Sequence, residues 1–215
     1  MAVAKPLVAA AAALVLASAA LAGGPIVRHN ATDQAAARAA VLKASDLGTG
    51  WRGTVQDVAR PTPISCPRSF APRQDDLVVT GDVSSKFDKT GVAIGTEVTL
   101  LQTVQMLRTD WGRSIRPQLG SCLASMVLKD LGSGTKVSST GKVAFPRIAP
   151  AVAAYRVSTV VTRNSQTVRL TVDLVLLSKA RAKISITFVY PTAAQPAMVA
   201  AEKKIAALVA GRVRG

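Results

Sequence analysis

The chain has 215 residues, with 27 lysines and arginines against 12 acids and a formal net charge of +15. That surplus draws a protein toward anionic surfaces. Nucleic acid is not expected as a partner, because aromatic residues make up only 4% of the chain and offer few platforms for base stacking. The basic residues are scattered, with no run longer than Lys203-Lys204, which is the pattern of a solubilising surface rather than of a polyanion groove.

Residues 7–22 read LVAAAAALVLASAALA, an apolar run behind one cation, Lys5, that ends in Ala20-Leu21-Ala22. An apolar stretch closed by a small-x-small triplet is what signal peptidase accepts. The sequence therefore predicts a signal peptide over 1–22 and a single exported domain over 23–215, about 190 residues and enough for one sizeable core. The alternative is an uncleaved anchor, since the run extended to Val27 approaches the ~20 residues that a spanning helix needs. No cysteine adjoins the cleavage point, so lipid attachment there is not expected. The expected location is secreted or extracytoplasmic, in the cell envelope, with membrane contact only if the leader is retained. Cys66 and Cys122 remain as an even pair in an oxidising compartment, which predicts a disulfide. Closing a loop of about 60 residues restricts the unfolded chain by about 4 kcal/mol in the chain-entropy picture.

Thr32 and Asp33 followed by alanines up to Lys43 predict a capped helix, with acid and cation placed to complement the helix dipole. Leu47-Gly48-Thr49-Gly50 ends it. Residues 51–73 hold Pro61, Pro63, Pro67, Pro72 and Cys66, and read as an extended loop pinned by the disulfide. The period then changes to two over 77–83 and 92–100 around a turn at 88–91, which is a hairpin. Val104, Leu107, Trp111 and Ile115 share a helical stripe, and past Pro117 a second stripe carries Leu119, Cys122, Leu123, Met126 and Val127. Strands follow at 136–145, 151–162, 167–177 and 181–190. A last helix over 195–213 places Met198, Ala201, Ile205, Leu208 and Arg212 on one side. The order gives an α+β class, a mostly antiparallel sheet packed with helices, its successive strands paired as a meander.

Few residues carry chemistry. Gly48-Thr49-Gly50-Trp51-Arg52-Gly53 matches a dinucleotide-binding motif, but a helix precedes it and extended chain follows, the reverse of the context that motif needs. Ser133-x-x-Lys136 and Ser139-x-x-Lys142 match the nucleophile and lysine pair of penicillin-binding proteins, yet both fall in a turn and strand rather than on one helical face. His29, the only histidine, belongs to a frayed N-terminus, so histidine-dependent triads lack a base. With the cysteines paired, no zinc ligand set remains, and neither a metal nor another cofactor is expected. Asp75-Asp76 reads as turn chemistry. Trp111 is expected in the core and Trp51 at its margin. Asp82, Glu97 and Asp173 lie within strands, and could serve a wall- or lipid-directed hydrolase if their faces converged. The alternation around Asp173, with Arg169 and Thr171 beside it, reads instead as the solvated face of an antiparallel strand.

Leu42-Lys43-Ala44-Ser45-Asp46-Leu47-Gly48-Thr49-Gly50-Trp51, Cys66, and Gly81-Asp82-Val83-Ser84-Ser85-Lys86-Phe87 form one set of recognisable features. With Trp111, Cys122-Leu123-Ala124 and the strands and helix over 168–213, they resemble the small exported sensor-type domains of actinobacteria. The layout is similar to the extracellular sensor domain of the mycobacterial kinase PknH and to PsbP-like folds. The resemblance implies an αβα sandwich with one disulfide and a ligand- or partner-binding role. Neither a kinase domain, nor an internal membrane span, nor an anchoring cysteine is expected to accompany it.

The expected function is thus a non-enzymatic secreted or cell-envelope binding domain, its partner a small molecule, an anionic envelope component or a protein. The alternatives are the hydrolase above and a membrane-anchored structural protein of the envelope. Mass spectrometry of the exported protein is expected to find an N-terminus at Gly23; an intact leader would favour the anchored form.

Overall fold

The computed structural model describes residues 24–66 and 69–214, so the leader expected over 1–22 lies outside the described residues. Alternating burial organises eight strands into one sheet. They are β1 (Ile26–Val27), β2 (Arg52–Asp57), β3 (Val78–Lys89), β4 (Val92–Leu101), β5 (Thr135–Val143), β6 (Ala151–Arg163), β7 (Gln166–Lys179) and β8 (Ala182–Pro191). From one edge the order runs β3, β4, β8, β7, β6, β5, and β1 and β2 share the outer edge of β3. All pairings are antiparallel except β1 with β3. The helices are α1 (Ala31–Ala40), α2 (Ala44–Leu47), α3 (Val104–Ser114), α4 (Gln118–Leu131) and α5 (Gln195–Arg212).

A period of two sends alternate side chains to opposite faces, and both faces are covered. On one, Val83, Phe87, Ile94, Val98, Val175, Ile184, Ile186 and Phe188 pack under α1 and α5 through Ala37, Val41, Ile205 and Val209. On the other, Tyr155, Val157, Val172, Leu174, Leu176 and Val189 meet Leu119, Cys122, Leu123 and Met126 of α4. Each fully buried side chain of this kind contributes about 1.5–3 kcal/mol. The α+β class and the sandwich of helices around a mostly antiparallel sheet follow from this double coverage.

Several elements depart from the sequence expectation. Ile26–Val27 pairs with Val78–Val79, so the chain is tied to the sheet just before the exposed His29. Residues 52–57, expected in a loop, form β2; they read RGTVQD and lie almost wholly exposed, so no alternation of polarity betrays them. The cap of α1 is Asn30, whose Oδ1 accepts from the Asp33 amide, and the helix stops at Ala40 rather than Lys43. On α5 the buried positions are Glu202, Ile205, Ala206, Val209 and Ala210, whereas Leu208 is exposed.

Long-range arginine forks hold the layers in register. Arg181, at the start of β8, donates to both oxygens of Asp33 on α1, at 2.7 and 3.1 Å, and this guanidinium holds the Asp33 carboxyl at about 2. Arg212 closes α5 onto Asp46 of α2 at 2.6 and 2.8 Å. Arg113 of α3 grips Asp76 in the same two-pronged way. The first fork needs α1 to lie directly on β3, and Gly81 permits it: a Cβ there would sit 2.6 Å from the Asp33 backbone.

The sulfurs of Cys66 and Cys122 are bonded, tying the proline-rich segment to the buried face of α4. The double variant Cys66→Ser, Cys122→Ser is expected to lose stability by up to about 4 kcal/mol and to become protease-sensitive first between 58 and 73. Denaturant titration and mapping of early cleavage sites check both outcomes.

Candidate functional site

Helix coverage is uneven, and the site arises where it fails. On the face that carries α4, that helix lies chiefly over β5 and β6, while α3 touches β4 near its C-terminal end. The strip formed by β2, β3, β4 and β8 is roofed instead by the chain between β2 and β3. Pro61, Thr62, Pro63 and Ile64 stand over it and enclose a cavity of about 410 Å³. That volume falls in the range of about 300–1,000 Å³ typical of small-molecule sites.

The floor changes character across the sheet. Thr54 and Gln56 from β2 and Ser84 and Lys86 from β3 make one end polar. Gly95 and Glu97 of β4, then Ser185 and Thr187 of β8, form the middle. Leu174 and Leu176 of β7, with Val189 and Ile64, make the inner end apolar where the cavity meets the α4 core. The alternation places these side chains on one face, because Ser84 and Ser185 are the cross-strand partners of Glu97, and Lys86 is the partner of Gly95.

Acidic and basic groups on this floor are unequally satisfied. Asp82 lies one pair along from Glu97, opposite Thr99, and is fully buried. Its Oδ1 accepts from the Thr99 hydroxyl at 3.3 Å, while its Oδ2 has no partner among the described residues. Burial, reinforced by the neighbouring Glu97 carboxyl, raises its pKa to about 9. Burial also pushes Glu97 upward, opposed only by the more distant charge of Lys183, and no described residue donates a hydrogen bond to it. The Lys183 ammonium is engaged elsewhere, 2.7 Å from Asp110 of α3. Asp110 also accepts from the Gln74 amide and the Ser114 hydroxyl, which closes that end of the cavity. Lys86 is drawn downward by burial, opposed by the charge of Asp88, and forms no ion pair among the described residues. At neutral pH the Asp82 carboxyl is held in the protonated form, and burial favours the neutral form of Glu97 as well.

Two of the three strand acids singled out from the sequence therefore meet, and the third does not. Asp173 faces the other side of the sheet, beneath α5, and is 2% exposed, which corrects the expectation of a solvated face. The Arg156 guanidinium grips both its oxygens at 2.6 and 2.7 Å, and the Tyr190 hydroxyl donates to it. Glu202 of α5 completes this group, raised to about 8 by burial and by hydrogen bonding to Asp173. The side chains around Asp173 do alternate between two faces, but a helix arriving from more than 20 residues downstream covers the face expected in solvent.

The remaining sequence motifs fall apart in space. Ser139 and Lys142 are exposed on the edge strand β5, and Gly48 to Gly53 forms the turn into β2. No group of three or more His, Cys, Asp or Glu residues that could hold a metal ion exists among the described residues. Trp111 and Trp51 pack partly buried against opposite cores. Lys183, Lys86 and Asp110 were not anticipated at the site. Asp110 did carry a signal, since it shares the buried stripe of α3 with Leu107 and Ser114, and an acid there requires a partner.

No family model matches the chain, and no curated protein matches it. Among solved structures it is similar to a Pseudomonas aeruginosa protein of unknown function described as a putative regulator, at 13% identity and a TM-score of 0.26, covering 74% of this chain and 84% of that one. It is also similar to LpqN of Mycobacterium tuberculosis, described as involved in cell envelope biogenesis, at 9% identity and a TM-score of 0.31, covering 74% of this chain and 89% of that one. Likeness at this level carries no argument about activity.

The raised Asp82 pKa gives a stability signature. Its contribution is fully present below about 3.8, where the carboxyl is protonated folded or unfolded, and is lost as pH rises through about 9, where the folded state must ionise a buried group. Asp82→Asn is expected to match the parent near pH 4 and to retain more stability above pH 8. Thermal melts across pH 4–10 for the two proteins check the crossing.

Proposed function

We propose that the chain is an extracytoplasmic, non-enzymatic binding domain whose small-molecule ligand occupies the cavity beneath residues 61–64. The carrying observation is the cavity itself, graded from polar to apolar and roofed by a segment that a disulfide fixes to α4. A disulfide of this kind persists in oxidising compartments, which supports export. Among the described residues no helix is long and apolar enough to cross a membrane. Kinship with actinobacterial sensor-type, PsbP-like domains belongs to this proposal, as does an anionic envelope component or a protein as an additional partner of the basic surface.

A hydrolase is the second reading, favoured by the approach of Asp82 to Glu97 in one concave site. Against it stands the full burial of Asp82, which removes that carboxyl from contact with a substrate in the cavity. Turnover of chromogenic glycosides or esters that disappears in Glu97→Gln would establish this reading.

Gly95 offers a direct test of the binding proposal. It lies on the cavity floor in a strand, and a Cβ there meets nothing closer than 3.8 Å, so isoleucine fits the backbone and fills the space. Native mass spectrometry of the exported protein is expected to show a copurifying small molecule, absent from Gly95→Ile of unchanged fold. A parent protein without bound mass, or a variant that keeps it, would defeat the cavity as the binding site.

A further inference from the structure

The strand register lays the cavity floor out in lines that cross the sheet. Thr54 of β2 is opposite Lys86 of β3, Lys86 opposite Gly95 of β4, Gly95 opposite Thr187 of β8, and Thr187 opposite Leu174 of β7. All five line the cavity, and they bring one charge to it, the Lys86 ammonium, and no acid. The line runs from the exposed Thr54 to the buried Leu174, and Gly95, without a side chain, leaves a trough at its centre. On one side it is bordered by Ser84, Glu97 and Ser185, and on the other by the apolar Ala93 and Val189. Lys86 is half-buried and forms no ion pair among the described residues, whereas Lys183, the other lysine of the lining, is held 2.7 Å from Asp110. Asp88, two residues further along β3, does not line the cavity.

We infer that the ligand is an amphipathic monoanion, a fatty carboxylate, its head seated on the Lys86 ammonium beside the Thr54 hydroxyl and its chain laid over Gly95 toward Leu174 and Val189 beneath Ile64. This deepens the proposed function and rests on it. One ammonium flanked by neutral hydroxyls matches a single negative charge and gives it a charge-assisted contact, which an alcohol head would not gain and an ammonium head would forfeit. From β3 to β7 the line crosses three strand spacings of about 4.8 Å, roughly 14 Å in all, a span suited to an extended chain of about ten carbons. Glu97 does not stand in the way, because it belongs to the neighbouring line and burial favours its neutral form. The surplus of +15 also draws anions toward the molecule.

n-Decanoate, n-decanol and n-decylamine share one apolar chain and differ only in the head, and calorimetric titration of each into the protein at neutral pH reads the preference. Decanoate is expected to bind about tenfold or more tighter than decanol, and decylamine more weakly than either. Lys86→Met, which keeps a straight side chain and removes the charge, is expected to reduce decanoate to the level of decanol without changing decanol binding. Gly95→Ile is expected to abolish all three. Equal binding of decanoate and decanol, tighter binding of decylamine, or a decanoate preference that survives in Lys86→Met would overturn the inference while leaving the cavity as a binding site. Failure of all three probes to bind the parent protein, or their retention in Gly95→Ile, would overturn the proposed function as well.

Discussion

The bond between Cys66 and Cys122 fixes the one part of the molecule that cannot fix itself. Proline lacks the amide hydrogen that a strand ladder needs, so a segment carrying Pro61, Pro63 and Pro72 cannot join the sheet through its middle. Its described backbone ties are few: the Val58 amide to the Asp82 carbonyl at one end, a bridge between Cys66 and Phe70, and the Leu77 amide to the Gln74 carbonyl at the other. Side chains from Ile64 and Phe70 add apolar contacts, but the covalent link to α4 sets where the roof stands. A helix in the same place would have filled the strip over β3, β4 and β8 with its own side chains. A tethered extended segment spans that strip and leaves volume beneath it.

The two buried acidic groups, on opposite faces of the sheet, show what the fold does with a charge it means to neutralise. Under α5, Asp173 has a bidentate arginine and a tyrosine hydroxyl, and Arg156 is held more firmly cationic by that carboxylate. Removing one partner from such a group leaves an uncompensated charge and costs about 3–5 kcal/mol, the mark of a scaffold interaction. On the opposite face Asp82 accepts one hydrogen bond, from the Thr99 hydroxyl at 3.3 Å, and burial raises both its pKa and that of Glu97. Of the two, Glu97 lines the cavity, so it is the acid on that face that a ligand can reach.

The strands from β3 onward were legible because each alternates apolar and polar residues, and α4 because its stripe includes Cys122 and Met126. The disulfide followed from a count of two and a predicted compartment. β2 was hidden because the outer strand of a sheet edge can be polar on both faces, and Arg52 to Asp57 is nearly so. The burial of Asp173 and Glu202 was hidden for a different reason. Periodicity shows that a strand has two faces, but which distant helix covers the second depends on the chain's return path, here from β8 through α5. The site itself was half visible: Asp82 and Glu97 stood out as acids in strands, while Lys183 looked like any solvated member of an alternating strand and acquires meaning only through Asp110.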